Sequence, residues 1–187
     1  MQPSNESEAK FGKSLRNRGT ESAGLRVLLA DARFQQIDLL TKRHVLATLP
    51  VSGAFGIQTF DAIMTPRPAE PITAATPQDV LDSLTLIEMK TTLKPIKNAA
   101  LNGFFFGATQ REYTMAEALG DRYRFAFVVL NDDNVYGSPF AVLLTLSQVE
   151  ERTHAKRLQY QVNFKSDMDV PEPGTCEVIQ LADDPRV

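Results

Sequence analysis

The segment at residues 84–92, with the sequence LTLIEMKTT, most constrains how this chain can fold. Its apolar and β-branched residues are typical of a buried strand. Because side chains alternate between the two faces of a strand, Glu88 and Lys90 share one face while Ile87 and Met89 point to the other. A carboxylate and an amine on a core strand are costly unless they are paired or used. The segment therefore predicts a core strand that carries a functional site.

Helices are expected on both sides of this strand in the chain. Apolar positions between residues 25 and 49 recur at helical spacing, and residues 76–79 combine a threonine cap, a proline and an acid as a helix start. Thr109 and Glu112 have the spacing of a capping box, and the helix that they open is expected to end at Gly120. The pattern thus predicts helices before and after the strand.

Further strands are expected elsewhere in the chain. Residues 57–65 read as a strand that carries Asp61, and residues 123–130, YRFAFVVL, have the strongest strand pattern. Residues 140–146 and 158–164 are also expected to be strands. Strands alternating with helices in this way predict an α/β fold with a central mixed β-sheet flanked by helices.

The chain of 187 residues is expected to form one domain with terminal extensions. Residues 1–22 form a polar N-terminal extension, residues 23–166 the α/β domain, and residues 167–187 an acidic C-terminal tail. No apolar run approaches the roughly 20 residues that cross a bilayer, so no membrane association is expected. The single Cys176 excludes an internal disulfide, which fits a cytoplasmic protein, and leaves oxygen atoms as the expected ligands of any metal.

The net charge of −3 argues against a nucleic-acid partner at first, because clustered Lys and Arg drive phosphate binding. The charges are unevenly distributed, however. Residues 1–60 carry eight Lys or Arg against five Asp or Glu, whereas residues 166–187 carry one against six. The cluster Lys42, Arg43 and His44 could meet a DNA backbone or could form a solvated helix face. This distribution is compatible with a basic surface in the N-terminal part of the chain and an acidic C-terminal tail.

Asp61, Glu88 and Lys90 together suit phosphodiester cleavage. Two carboxylates supply hard oxygen ligands for a divalent cation, substrate phosphate and waters complete the coordination, and an ammonium balances the excess negative charge. Structural alternatives exist for each residue. Glu88 and Lys90 could form an ion pair on an edge strand, which contributes little stability, and Asp61 could be a turn or surface acid.

The order of these elements resembles the PD-(D/E)xK nuclease superfamily, whose core has a helix, three strands, a helix and a strand. The resemblance covers roughly residues 35–165 and implies a restriction-endonuclease-like core. The segments IEMKTT, FFFGATQRE and DRYRFAFVVLN are similar to the domain at the C-terminus of the plant NO VEIN protein and its bacterial relatives. Phe60 stands where the superfamily name has proline.

The resemblance also implies roles for individual residues. Asp61 and Glu88 would bind Mg²⁺, or Mn²⁺ as a substitute, with help from the backbone carbonyl of Met89. Lys90 would orient or activate the attacking water and stabilise charge on the phosphate. Whether Lys90 serves as a base depends on its burial.

Two auxiliary residues and one cap complete the candidate set. Gln110 corresponds to a glutamine that some relatives place on the following helix, although Tyr113 follows it here by three residues instead of four. Thr91 could touch phosphate or could be a routine strand residue. Glu112 is expected to act only as a helix cap.

These features predict a Mg²⁺-dependent DNA endonuclease of restriction, repair or phage defence, working as a homodimer if it cuts both strands. The alternative is a non-catalytic DNA-binding or assembly module that retains the fold. The sequence pI of 5.4 and the lack of a dense basic stripe favour that alternative. Neither G-x-G-x-x-G nor G-x-x-x-x-G-K-[ST] occurs, so the sequence shows no nucleotide phosphate loop.

Overall fold

The computed structural model describes residues 19–49, 56–68 and 70–153, which contain one mixed β-sheet. The sheet has five strands in chain order, with β3 at its centre. β3 and β4 are parallel, and every other neighbouring pair is antiparallel. The expected α/β class with a mixed sheet is confirmed. The strands are β1 Phe34–Gln35, β2 Ala62–Met64, β3 Thr85–Thr92, β4 Tyr123–Val129 and β5 Phe140–Leu144.

Helices separate most of the strands. Their bounds are α1 at residues 19–29, α2 Leu39–Thr48, α3 Gln78–Asp82, α4 Gln110–Leu119 and α5 Leu146–Arg152. The capping box of Thr109 and Glu112 at the start of α4 is confirmed, and Gly120 ends the helix with a positive φ of 54°. The helix start at residues 76–79 is also present, although Pro77 and not Thr76 is the N-cap.

Three expected boundaries differ from the structure. The helical region at residues 25–49 is interrupted by β1, and Asp38 then caps α2 by accepting a hydrogen bond from the Thr41 amide. β5 ends at Leu144 and not at residue 146, because Thr145 caps the helix α5 that begins at Leu146. β2 is much shorter than residues 57–65, because Thr59 donates through both its amide and its hydroxyl to the Gly56 carbonyl and closes a turn.

Apolar side chains pack on both faces of the sheet. On one face Leu86 and Phe125 belong to a core that includes Val45 of α2, Leu81 of α3 and Met115 of α4. On the other face Ile87, Met89 and Ala126 pack with Leu28 of α1. The sheet is therefore flanked by helices on both faces, as expected.

Gly24 of α1 lies directly against the sheet. A Cβ atom added there would lie 2.6 Å from the Thr91 Oγ1 atom and 3.1 Å from the Met89 Sδ atom. Both distances are shorter than ordinary van der Waals contact, so α1 can pack at this depth only with glycine at position 24.

Two expected regions cannot be compared with the structure. The strand at residues 158–164 and the acidic tail at 167–187 lie outside the described residues. Among the helices that the structure does describe, none has the length and apolar character needed to span a membrane.

Candidate functional site

Asp61 lies where β2 and β3 separate. Its amide donates to the Ile87 carbonyl at 2.8 Å and so extends the strand pairing by one bond. The next inward-facing amide of β3, that of Met89, donates to the Asp61 side chain instead of to a backbone carbonyl, with 2.8 Å between the nitrogen and Oδ2. A carboxylate thus replaces the backbone carbonyl that a longer β2 would have supplied. This bond fixes Asp61 against β3, next to Glu88.

Glu88 and Lys90 share the face of β3 that packs against α4, as strand alternation predicts. The Lys90 Nζ atom lies 2.7 Å from Glu88 Oε1 and 2.9 Å from Glu112 Oε2. The three side chains are only 12%, 8% and 9% exposed, in the order Lys90, Glu88, Glu112. The same-face ion pair of the structural alternative is therefore present, but β3 is the central strand and not the expected edge strand.

Glu112 has a second role beside its expected one. Its Oε2 atom accepts the Thr109 amide at 3.0 Å, as a helix cap, and also accepts from Lys90. The sequence carried a signal for this role. Glu112 occupies the same helical stripe as the buried residues Met115, Ala116 and Leu119, where an unpaired acid would be costly. The expectation that Glu112 acts only as a cap is therefore wrong.

Lys42 reaches the same region from α2. Its Nζ atom donates to the Phe60 carbonyl at 2.7 Å and lies 4.8 Å from the centre of the Phe60 ring. Lys42 also lines an open pocket of about 340 Å³ together with Gln36, Gln58 and Asp61. The sequence indicated Lys42 as a possible contact to a DNA backbone or as part of a solvated helix face. It did not place Lys42 beside Asp61, because a contact between α2 and the segment before β2 leaves no periodic signal.

Tyr123 supports the turn that leads to Asp61. Its side chain is fully buried, and its hydroxyl donates to the Thr59 carbonyl at 2.6 Å. Tyr123 begins β4, so this bond ties the turn at residues 56–59 to a strand on the far side of β3. The position of Asp61 is therefore set from both ends, by Tyr123 through Thr59 and by Met89.

The electrostatics of the cluster favour fewer negative charges. Burial raises the pKa of Asp61, although the Met89 amide opposes the shift. Burial, reinforced by the Asp61 charge, raises the pKa of Glu88 to about 8 in spite of Lys90. Burial disfavours the charge on Lys90, but the Glu88 and Glu112 carboxylates outweigh it and raise the pKa of that ammonium. Burial lowers the pKa of Lys42.

The arrangement brings together oxygen atoms that could coordinate a divalent cation. Glu88 Oε2 is buried and has no hydrogen-bond partner in the part of the chain that the structure describes. Successive residues of a strand direct their backbone groups to opposite edges, so the Met89 carbonyl faces the same edge as its amide, where Asp61 lies. Two carboxylates and one carbonyl leave places for water and phosphate, which is the usual pattern for Mg²⁺.

The described residues do not form a metal site from side chains alone. Within residues 19–49, 56–68 and 70–153, no group of three or more His, Cys, Asp or Glu is arranged to hold a metal ion. The Lys90 ammonium donates to both Glu88 and Glu112 and so engages the third carboxylate of the cluster. Any cation would therefore depend on Asp61, Glu88, the Met89 carbonyl and oxygen atoms from outside the chain.

The two auxiliary candidates lie away from the cluster. Thr91 is on the opposite face of β3, under Gly24 of α1, and its Oγ1 finds no hydrogen-bond partner among the described residues. Gln110 is the exposed first residue of α4. Its side chain makes no hydrogen bond to the carboxylates in the described part of the chain. The structure therefore brings Asp61, Glu88 and Lys90 together without Thr91 or Gln110.

The described structure belongs to the α/β class and carries a cluster of three acids and two lysines, of which Glu88 and Glu112 are buried and Asp61, Lys42 and Lys90 are half-buried. No family model matches the chain, and no curated protein or solved structure matches it either. The functional interpretation therefore depends on the geometry of the cluster.

Proposed function

We propose that this chain is a Mg²⁺-dependent phosphodiesterase that acts on DNA, with Asp61, Glu88 and Lys90 as its site. The observation that carries the proposal is the buried Glu88 Oε2 atom, which has no hydrogen-bond partner in the described structure. A buried carboxylate oxygen without a partner is costly in a folded protein. A cation shared with the neighbouring Asp61 would satisfy it.

The order of elements supports a PD-(D/E)xK type of core. With α2 and α3 set aside as additional helices, the chain runs through α1, the strands β1 to β3, α4 and β4. This order is similar to the helix, three strands, helix and strand of that superfamily and so supports the proposal. Asp61 precedes β2, and Glu88 and Lys90 lie on the third strand, as the motif requires.

Each residue of the site would have a distinct task. Mg²⁺, when bound, would stabilise negative charge on the phosphate and lower the pKa of a bound water. Asp61 and Glu88 would hold it, with Asp61 oriented by the Met89 amide. Lys90, which donates to Glu88 and Glu112, would orient water and balance charge on the phosphate.

A cleavage assay with matched variants tests the proposal. Plasmid, linear duplex and single-stranded DNA would be incubated with the protein in Mg²⁺ or Mn²⁺, with EDTA as a control. Cleavage is expected to require the metal and to be lost in Asp61→Asn and Glu88→Gln. Glu117→Gln, which removes an exposed acid of α4, serves as the matched control and should cleave normally. Undiminished cleavage by Glu88→Gln would contradict the proposal.

A second candidate function is a non-catalytic DNA-binding or assembly module. It is favoured by the contacts of Lys90, which is neutralised within the cluster by two carboxylates. In that case DNA binding would be unaffected by EDTA and by Glu88→Gln, and no DNA form would be cut. The same protein preparations distinguish the two candidates if binding is measured beside cleavage.

A further inference from the structure

The two lysines of the cluster differ in their unused hydrogen-bonding capacity. An ammonium group has three donors and no acceptor. Lys90 donates to two carboxylates, whereas the single hydrogen bond of the Lys42 ammonium within the described residues goes to the neutral Phe60 carbonyl. Among residues 19–49, 56–68 and 70–153, Lys42 makes no ion pair. Lys42 is thus the cation at this site with charge and donors to offer a ligand.

The position of Lys42 is fixed by its surroundings. The Phe60 carbonyl and ring hold the ammonium at the pocket that Asp61, Gln36 and Gln58 also line. The two glutamine amides add further donors at the rim. The pocket volume of about 340 Å³ lies at the low end of the roughly 300–1,000 Å³ that is usual for ligand sites. Its polar lining suits a small, strongly hydrogen-bonding group.

The charges at the pocket indicate the chemical class of the ligand. Lys42 would attract an anionic group, but Asp61, which lines the same pocket, would repel a free anion. A cation held by Asp61 and Glu88 would remove that repulsion and leave Lys42 as unopposed positive charge. A phosphate oxygen could then lie between the cation and Lys42, as charge-assisted hydrogen bonding favours.

We infer that this pocket binds a backbone phosphate of the DNA strand and that Lys42 is its main cationic contact. The inference rests on the proposed function and adds a substrate-binding residue to it. Lys42 acts in binding and positioning and does not take part in the bond-breaking step. Lys90, enclosed by Glu88 and Glu112, has the catalytic task.

Binding measurements with matched variants test the inference separately from cleavage. Lys42→Met keeps the packing on Phe60 but removes the charge, Lys42→Arg keeps the charge, and Arg43→Met removes an exposed charge from the neighbouring position on α2. Affinity would be measured for a labelled DNA strand and for inorganic phosphate, each in Mg²⁺ and in EDTA. Heteronuclear NMR of the amides of Phe60 and Asp61 would report occupation of the pocket.

The expected result is specific to Lys42. Lys42→Met should weaken binding of the DNA strand in Mg²⁺ about tenfold or more, whereas Lys42→Arg and Arg43→Met should stay within about twofold of the wild type. Inorganic phosphate should shift the Phe60 and Asp61 amide signals in the wild type and not in Lys42→Met. Folding of each variant would be checked by its amide spectrum.

Three results would overturn the inference. Equal weakening by Lys42→Met and Arg43→Met would assign the effect to general surface charge. If Lys42→Met loses binding of inorganic phosphate but binds DNA as the wild type does, the pocket would be the site of a small phosphate ligand and not of DNA. Absence of any binding by the wild type would leave the pocket without its ligand. If one of these results is obtained but the protein still cleaves DNA in a metal-dependent way, the proposed function stands and only the role of Lys42 is contradicted. If DNA binding depends on Lys42 but no DNA is cleaved, only the proposed function is contradicted.

Discussion

Lys90 and Glu112 connect the central strand β3 to the helix α4 that follows it. The Lys90 ammonium lies 2.9 Å from Glu112 Oε2, and the same oxygen accepts the Thr109 amide. One carboxylate oxygen therefore caps the start of α4 and also neutralises a lysine that is only 12% exposed. Loss of Glu112 should remove both contributions at once.

The chain offers a matched comparison for the cap alone. α5 begins with a second capping box, formed by Thr145 and Gln148 without a buried lysine. Glu112→Ala should lower the free energy of unfolding by about 2–4 kcal/mol, and Gln148→Ala by about 0.5–1 kcal/mol. Urea unfolding of both variants measures the difference. Equal losses would show that the ion pair contributes nothing beyond the cap.

Glu88 should make the metal-free protein less stable as the pH rises. Its pKa is about 8 in the folded state against an ordinary value of 4.5, so the folded protein binds more protons in that interval. This contribution is complete below about pH 4.5 and is lost as the pH rises through about 8. Because one pKa unit corresponds to about 1.4 kcal/mol, the loss is expected to be a few kcal/mol.

Urea unfolding in EDTA across this pH interval measures the effect. Glu88→Gln should flatten the decline and be more stable than the wild type at the alkaline end. Glu117→Gln, at an exposed position on α4, should keep the wild-type slope. A decline that persists unchanged in Glu88→Gln would assign it to other groups.

Gly24→Ala should destabilise the protein by forcing α1 away from β3. The new Cβ would lie 2.6 Å from Thr91 Oγ1, and threonine is stiff about its first side-chain torsion. The expected loss is about 1–3 kcal/mol by thermal or urea unfolding. Adding Thr91→Ala should recover part of it. Gly19→Ala in the same helix meets no atom within 4 Å and should be neutral or stabilising.

Tyr123→Phe should loosen the turn that leads to Asp61. The variant leaves the Thr59 carbonyl without its buried donor, at an expected cost of about 1–3 kcal/mol. Since the turn positions Asp61, Mg²⁺ affinity measured by calorimetry should fall as well. Tyr136→Phe, at an exposed position, should change neither property. A loss of stability with unchanged metal affinity would separate the turn from the site.

Strand alternation was sufficient to place Glu88 and Lys90 together, because the geometry of a single strand is local. The extent of β2 was wrong, because the hydrogen bonds of Thr59 to Gly56 depend on a turn that apolar patterning does not reveal. Lys42 could not be assigned, since its contact with Phe60 joins segments with no common periodicity. Glu112 could have been assigned from its position in a buried stripe.

The hydrogen bond from Met89 to Asp61 has a consequence for sequence change over time. Replacement of Asp61 by an apolar residue would leave a strand amide unsatisfied, so folding alone selects for an acceptor at this position. Glu88 Oε2 satisfies no group among the described residues, whereas Glu88 Oε1 accepts from Lys90, so folding selects for one acceptor oxygen at position 88 and not for two. A descendant of this chain that lost its activity could therefore replace Glu88 by glutamine, which keeps that one acceptor and gives up the carboxylate.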